Sequence, residues 1–341
     1  MCKSTTEGKA HAEVSLELRS TLDLRASDWP KEQVFLLPGV RQYPDGFLVS
    51  RFLKLPKYRL GLLIKHGIRP YIVFDGGDLP AKKDEALKRK LRRDKALVRA
   101  HAHAAAGRWS QARKLYKRSI DMTPQISFQF IKVSLFLFAV ASCKTAEVLP
   151  QYLRARKIPY VVAPYEADAQ LAYLEKKGLI VAVLSPDSDL LVFGCQTLLF
   201  DFNYTTRTVA CISRRQGTSE SDSTALASDG DPITLHGLSD AQFRAMSIFR
   251  GCDYISPLHG INGLAVARRL IMELESAEEV VYTRFLIGGR SMPTVGYWER
   301  FQLAEKCYLH QRVYCPLSKK LVHLTEVGSE WNDEYDEYVG R

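Results

Sequence analysis

Three short apolar runs punctuate the first half of the chain, and acidic residues follow each of them. Pro70-Tyr-Ile-Val-Phe74, Ile158-Pro-Tyr-Val-Val162 and Leu179-Ile-Val-Ala-Val-Leu184 have no polar face and are short, so they predict buried parallel strands. Tyr58 to His66 carries the spacing of an amphipathic helix that closes at Gly67, just before the first strand. Glu166 to Lys176 reads as the helix after the second strand, and Asp187-Ser-Asp-Leu-Leu-Val follows the third. Strands alternating with helices imply an α/β fold with a mainly parallel sheet covered on both faces. Beyond residue 233 the pattern turns helical: Asp240 to Phe249, Gly263 to Leu274 and Tyr297 to Gln311.

Other stretches have a different character. Residues 1–53 hold no sustained period, interrupted by Pro30, Pro38 and Pro44, and no fold is assigned to them. Residues 82–120 are rich in Ala, Leu, Lys and Arg, with a break at Gly107, and predict two helices joined by a turn. Lys88 to Arg93 is charged all round, so that helix must face solvent or a ligand. Residues 213–233 are rich in Ser, Thr, Asp and Gly and read as a mobile surface loop.

Composition narrows the class. The 341 residues are 46% hydrophobic and 25% charged, which excludes a disordered or collagen-like chain and leaves room for one large or two ordinary domains. The net charge of +10 is concentrated: residues 81–118 hold 14 Lys/Arg against three acids, while the remainder has 34 basic and 35 acidic residues. Seven scattered cysteines form no CxxC pair, arguing against zinc and for a reducing compartment. The longest apolar run, Val133 to Cys143, is far short of the roughly 20 residues that span a bilayer. The polar N-terminus lacks a signal-peptide pattern, so a soluble intracellular protein is expected.

The acids then suggest chemistry. Asp75, Glu166-x-Asp168 and Asp187-x-Asp189 follow the three strands, and Asp253 lies in Gly251-Cys-Asp-Tyr. The carboxyl ends of parallel strands are where open α/β sheets place ligands. All-carboxylate sites suit magnesium or manganese, and two such ions about 3.5–4 Å apart can drive phosphodiester cleavage. Taken singly, Asp187-x-Asp189 is an ordinary helix N-cap and Glu166 or Asp168 an ordinary first-turn acid. Four acidic positions beside a cationic limb favour metal-dependent phosphate chemistry. Lys82, Lys83, Lys88, Arg89, Lys90, Arg92 and Arg93 start seven residues after Asp75 and suit a phosphate backbone read by shape rather than base sequence. His259-Gly-Ile-Asn-Gly263 is a glycine turn opening a helix, whose first amides can meet a phosphate.

Jointly these motifs resemble the flap endonuclease and xeroderma group G superfamily of structure-specific 5′ nucleases. The resemblance rests on Val-Phe-Asp75-Gly, Ala163-Pro-Tyr-Glu-Ala-Asp-Ala-Gln-Leu-Ala-Tyr173, Asp187-Ser-Asp-Leu-Leu-Val-Phe-Gly194 and Gly251-Cys-Asp-Tyr254, in the family's order. Asp78-Leu-Pro-Ala-Lys-Lys83, the stretch from Gly107 to Thr123, and Tyr165-Glu-Ala-Asp-Ala-Gln170 are nearest to the exonuclease 1 branch. The similarity runs from about Tyr58 to the C-terminus.

The resemblance implies a PIN-like nuclease core over residues 54–235, with a helical arch at about 81–130. A helix–two-turn–helix and C-terminal helical region would cover 236–341. It implies that Asp75, Glu166, Asp168, Asp187, Asp189 and Asp253 ligate two Mg2+ or Mn2+ ions. Lys82 and Arg89 would act with Asp75 and Glu166 on the scissile phosphate. Lys82, Lys83, Arg89, Arg92, Arg93, Gly260 and Gly263 would contact DNA, and the turn from Gly260 to Gly263 would bind duplex through a potassium ion. The expected function is a 5′→3′ double-stranded DNA exonuclease with 5′ flap endonuclease activity. The same resemblance implies action in mismatch repair and end resection, a monomer, mismatch-repair partners and a nuclear location.

Three departures from the family accompany these expectations. Residues 1–53 offer no match to its opening strand and further catalytic Asp, since Asp23, Asp28 and Asp45 follow no apolar strand. Residues 133–150 interrupt a helix that the family continues almost directly into Arg154; a wrong first exon and a translated intron in the gene model would produce both differences. Gly-Ile-Asn-Gly is one residue longer than the usual turn, and Pro257 stands where Ser is common. Two further readings stand beside the nuclease: an inactive homologue that grips DNA ends, and a flap endonuclease proper or junction resolvase of the superfamily.

Overall fold

The computed structural model describes residues 13–23, 33–36, 58–119, 157–203, 205–216, 225–226, 232–233, 237–288, 296–329 and 331–341. The described strands are β1 (Glu13–Asp23), β2 (Gln33–Leu36), β3 (Arg69–Phe74), β4 (Tyr160–Val162), β5 (Ala182–Leu184), β6 (Thr197–Asn203), β7 (Thr208–Gln216), β8 (Ala225–Leu226), β9 (Pro232–Ile233), β10 (Leu238–Ser239), β11 (Arg312–Cys315) and β12 (Lys320–His323). The helices are α1 (58–65), α2 (Lys83–Ala105), α3 (Trp109–Ser119), α4 (Ala167–Lys176), α5 (Asp189–Val192), α6 (Asp240–Phe249), α7 (Leu264–Leu274), α8 (Ala277–Gly288), α9 (Tyr297–His310) and α10 (Asp336–Val339). Two compact units form, one of residues 21–209 with 306–341, the other of 1–20 with 210–305.

The first unit is built on five parallel strands in the order β6-β5-β2-β3-β4. The three strands read from apolar runs are β3, β4 and β5. Their core is aliphatic and tightly closed: Val73, Leu171, Leu174, Val183 and Leu190 have no solvent exposure. The centre of this sheet differs from the sequence expectation. Residues 1–53, to which no fold was assigned, supply two strands, β1 and, between β3 and β5, β2, with Leu36 opposite Ile72 and Leu184. Four residues were too few to register as a period, and Gln33-Val-Phe-Leu36 carries no carboxylate.

The cationic limb folds as expected, into α2 and α3 joined at Gly107, whose φ of 72° is the left-handed turn conformation that glycine favours. Ala96, Ala100 and Ala112 are its buried residues, so the two helices meet through small side chains. Lys88, Arg89, Lys90 and Arg92 stay exposed. The expected insertion at 133–150 lies outside the described residues, as do 120–130 of the arch.

Residues 306–341, read from the sequence with the C-terminal helical region, pack with the nuclease unit and form a β11–β12 hairpin. The buried Gln170 explains the attachment. From α4 its side chain donates to the Tyr314 carbonyl at 2.8 Å and accepts from the Tyr314 N–H at 2.7 Å, acting as a strand neighbour for β11.

The second unit holds Phe249 stacked on Phe301 at 5.0 Å, with Trp298 stacked on Phe301 at 5.2 Å. Helix α6 opens with a capping box in which Ser239 and Gln242 satisfy each other's backbone N–H groups. Within it β1 pairs antiparallel with β10. Of the stretch expected as a mobile loop, β7 extends to Gln216 and β8 pairs with β9; the rest lies outside the described residues.

Gln170→Leu tests the hairpin attachment. It leaves both Tyr314 backbone groups without their partner, and each orphaned group costs about 1–3 kcal/mol. Chemical denaturation should show a loss of that size, where a surface Gln would show almost none.

Candidate metal centre

A loop-to-loop zipper brings the first two acidic clusters together. After β3 the Gly76 N–H donates to the Tyr165 carbonyl at 2.7 Å, and the Gly77 N–H to the Pro164 carbonyl at 2.9 Å. Only glycine fits at 76, because a Cβ there would collide with the Ala163 and Pro164 carbonyls. The zipper sets Asp75 against the start of α4, where Asp75 Oδ1 accepts from the Ala167 N–H at 2.9 Å. Glu166 is the N-cap of that helix but makes no side-chain cap; Asp75 supplies the acceptor in its place.

The third cluster is shaped locally. The Asp187 N–H donates to Ser185 Oγ at 3.1 Å, and Asp187 Oδ1 accepts from the Asp189 N–H at 3.0 Å. This Asx turn starts the short helix α5. Asp189 Oδ2 in turn accepts from the Tyr308 hydroxyl at 3.3 Å.

Glu166 is gripped from two sides. The Lys82 ammonium pairs with Oε1, and the Gln311 amide donates to Oε2 at 2.7 Å. Lys82 ends the single 3-10 turn that precedes α2, so the base of the arch reaches the acids directly. Arg89 and Arg92 reach Glu85 at 3.4 and 3.5 Å on the exposed face of α2, contacts that solvent keeps weak.

The electrostatics follow from this crowding. Burial raises the Asp75 pKa, with Glu166 and Asp187 adding to it, while the Ala167 N–H and Lys82 oppose. Asp75 is crowded by protein yet still reached by solvent, which tempers the effect. Asp168 is pushed well above the carboxylate range, first by burial and then by Asp187, Glu166 and Asp75. Its Oδ1 is buried with no hydrogen-bond donor. An orphaned carboxylate oxygen among three further acids, with one lysine to offset them, is a donor set that a hard divalent cation would satisfy. Among the described residues, no three His, Cys, Asp or Glu side chains already converge on one point, and Lys82, Gln311 and Tyr308 hold oxygens that an ion would share.

The structure thus gathers Asp75, Glu166, Asp168 and Asp187 as mutually interacting charges, with Lys82 among them and Asp189 beside Asp187. Asp253 belongs to the second unit. It lies in the loop after α6, closed by Cys252 N–H to the Ile255 carbonyl and Leu258 N–H to the Phe249 carbonyl, both at 3.0 Å. Gly251 there has φ 92° and a Cβ would meet the Pro257 ring. Gly260 and Gly263 both take positive φ, 79° and 120°, and Gly263 caps α7. Lys83, Lys88 and Lys90 project from α2 into solvent. Tyr308 and Gln311 were missed from the sequence because a Tyr and a Gln in a helical pattern give no local signal.

Comparison with known proteins places the chain among nucleases. The XPG N-terminal domain matches residues 36–96 and the XPG I-region residues 157–253, so the first match begins at the end of β2. "Exonuclease 1" of Oryza sativa is 33% identical over 293 residues, covering 85% of this chain and 31% of the rice protein. "Exodeoxyribonuclease 1" of Schizosaccharomyces pombe is 34% identical over 291 residues, covering 85% of this chain and 45% of that protein. The chain therefore spans about a third to under half of these relatives' lengths. A solved structure of the catalytic core of Rad2 in complex with DNA substrate superposes with a TM-score of 0.51 at 15% identity, covering 94% of this chain and 95% of that one. That likeness establishes the shared fold.

The raised Asp168 pKa has a testable sign. An acid whose folded pKa lies above its unfolded value costs nothing below the unfolded pKa, near pH 4. The cost grows as pH rises toward the folded value and persists above it. This carboxyl should therefore subtract increasingly from the stability of metal-free protein as pH climbs from about 4. Asp168→Asn should remove part of that loss, leaving the metal-free chain more stable than wild type near pH 7. Thermal melting in EDTA across pH, comparing the two proteins, checks this.

Proposed function

The chain belongs to the exonuclease 1 branch of the XPG and flap endonuclease superfamily, and from that membership we propose that it is a metal-dependent 5′→3′ exonuclease on double-stranded DNA with 5′ flap endonuclease activity. The observation that carries the reading is the orphaned Asp168 oxygen amid Asp75, Glu166 and Asp187, at the carboxyl ends of parallel strands and beside a lysine of the cationic arch. Divalent ions held there would activate water and neutralise charge on the cleaved phosphodiester. Water's oxygen would join the phosphorus as the bond to the 3′ oxygen breaks, leaving 5′-phosphate nucleotides.

The protein's own groups do the rest of the work. Lys82 is placed to meet a phosphate at the acids, and Arg89, Arg92 and Arg93 continue a cationic surface along α2 that would draw a backbone toward it. Lys83 extends it at the arch base. Asp253 is a metal ligand by the family resemblance alone. The positive-φ turn at Gly260 and Gly263 would carry duplex through the first amides of α7, with a potassium ion as the finer expectation. We place its action in nuclear DNA repair, as a monomer, with mismatch-repair proteins as partners.

One observation favours a second reading, a DNA-end-binding homologue with weakened cleavage. The central strand β2 lies between two of the acid-bearing strands, β3 and β5, and brings no carboxylate of its own. Salt-dependent flap binding without magnesium-dependent cleavage would select that reading.

The deciding assay follows 5′-labelled recessed-end, flap and four-way substrates with and without Mg2+. Asp187→Ala with Asp189→Ala should reduce cleavage to the metal-free background while leaving DNA binding; undiminished cleavage would remove the site assignment. Separately, Arg92→Ala and Arg93→Ala should weaken binding alike for all sequences. Each should lower the salt slope by about 1 if it neutralises a phosphate.

A further inference from the structure

Two acids of the proposed metal centre start different helices, Glu166 as the N-cap of α4 after β4 and Asp189 as the first residue of α5 after β5. Both are held by side chains from a third place in the chain. Gln311, fully buried directly after α9, donates to Glu166 Oε2 at 2.7 Å. Tyr308, one turn earlier on α9 and 1% exposed, donates to Asp189 Oδ2 at 3.3 Å. We propose that Tyr308 and Gln311 are positioning residues that fix the separation and orientation of Glu166 and Asp189 for divalent cations. The inference rests on the nuclease reading and concerns residues outside the stretches matched to the family's domains.

Their surroundings make the pair a brace. The Tyr308 ring packs edge-on against Phe193, which follows α5, at a centroid distance of 4.9 Å. That contact sets where the hydroxyl points. Gln311 is followed at once by β11, whose Tyr314 is clasped by Gln170 of α4, three residues beyond Ala167 and its bond to Asp75. The Gln311 carbonyl also accepts from the Leu324 N–H at 3.0 Å. Backbone and neighbours are therefore fixed before the amide meets the carboxylate. Facing a carboxylate oxygen, that amide turns its N–H₂ toward Glu166. Its Oε1 is buried without a donor. A buried amide left half-satisfied is costly, and its bond to Glu166 offsets part of that cost.

Carboxylates need such partners for a physical reason. Without a donor on the outer oxygens, two acids facing the same space rotate away from each other, and each ion bound must first reorder them. Outer partners of metal ligands typically change affinity by about 10–100-fold when removed.

The test measures Mn2+ binding directly, by electron paramagnetic resonance of the free ion, in the full chain and two variants. Tyr308→Phe keeps the ring on Phe193 and removes only the hydroxyl; Gln311→Met keeps the volume and removes the donor. Each should weaken Mn2+ binding about 10-fold or more. Cleavage should show the same rise in metal half-saturation, with the rate recovered at saturating Mn2+. Melting in EDTA reports whether each variant is folded. Wild-type Mn2+ affinity in a folded variant overturns the proposal. A wild-type chain that binds Mn2+ and does not cleave removes the nuclease reading alone, since the binding comparison still decides the brace. A wild-type chain with no Mn2+ affinity overturns both.

Discussion

Bringing several carboxylates within interaction range of one another is the constraint on which the rest of the structure depends. Like charges at the edge of a low-dielectric core repel, and each raises the others' hold on protons. The fold reduces this penalty with positive charge, partial and full. The first N–H of α4 faces Asp75, the Asp189 N–H faces Asp187, and the Lys82 ammonium faces Glu166. What stays uncompensated is Asp168, whose buried Oδ1 has no donor. A protein that only needed stability would have placed an amide or an apolar side chain there.

The same demand explains the loops that carry the acids. Gly76 exists because two loops must approach closer than a Cβ allows, and that approach sets Asp75 at the start of α4. The hairpin after α9 returns to the nuclease unit through Gln170, in the same stretch that brings Tyr308 and Gln311 to the acids. Charge is divided accordingly: the arch carries the basic excess and the acids occupy the ends of the sheet strands. An anionic polymer can approach such a site only when cations join it, which links substrate attraction to metal occupancy.

Much of this was legible in the sequence because it rests on local pattern. Three apolar runs became β3, β4 and β5, and Asp240 to Phe249 became α6 residue for residue. Gly107 marked the arch turn, and the acids after the strands met at one end of the sheet as the strand order requires. The illegible parts depend on partners far away in the chain. β2 is four residues long and owes its place to pairing on both sides, so no period revealed it. The β11–β12 hairpin is specified by a glutamine 144 residues earlier. Asp253, grouped with the other acids by motif, belongs to a different compact unit.

The central claim is that Asp75, Glu166, Asp168 and Asp187 form a seat for divalent cations. A crystal grown with Mn2+ and measured at the manganese absorption edge tests it most directly. Anomalous peaks should lie against these carboxylates, with the orphaned oxygen of Asp168 turned toward one of them. Ordered carboxylates with no anomalous peak among them at millimolar Mn2+ would contradict the account.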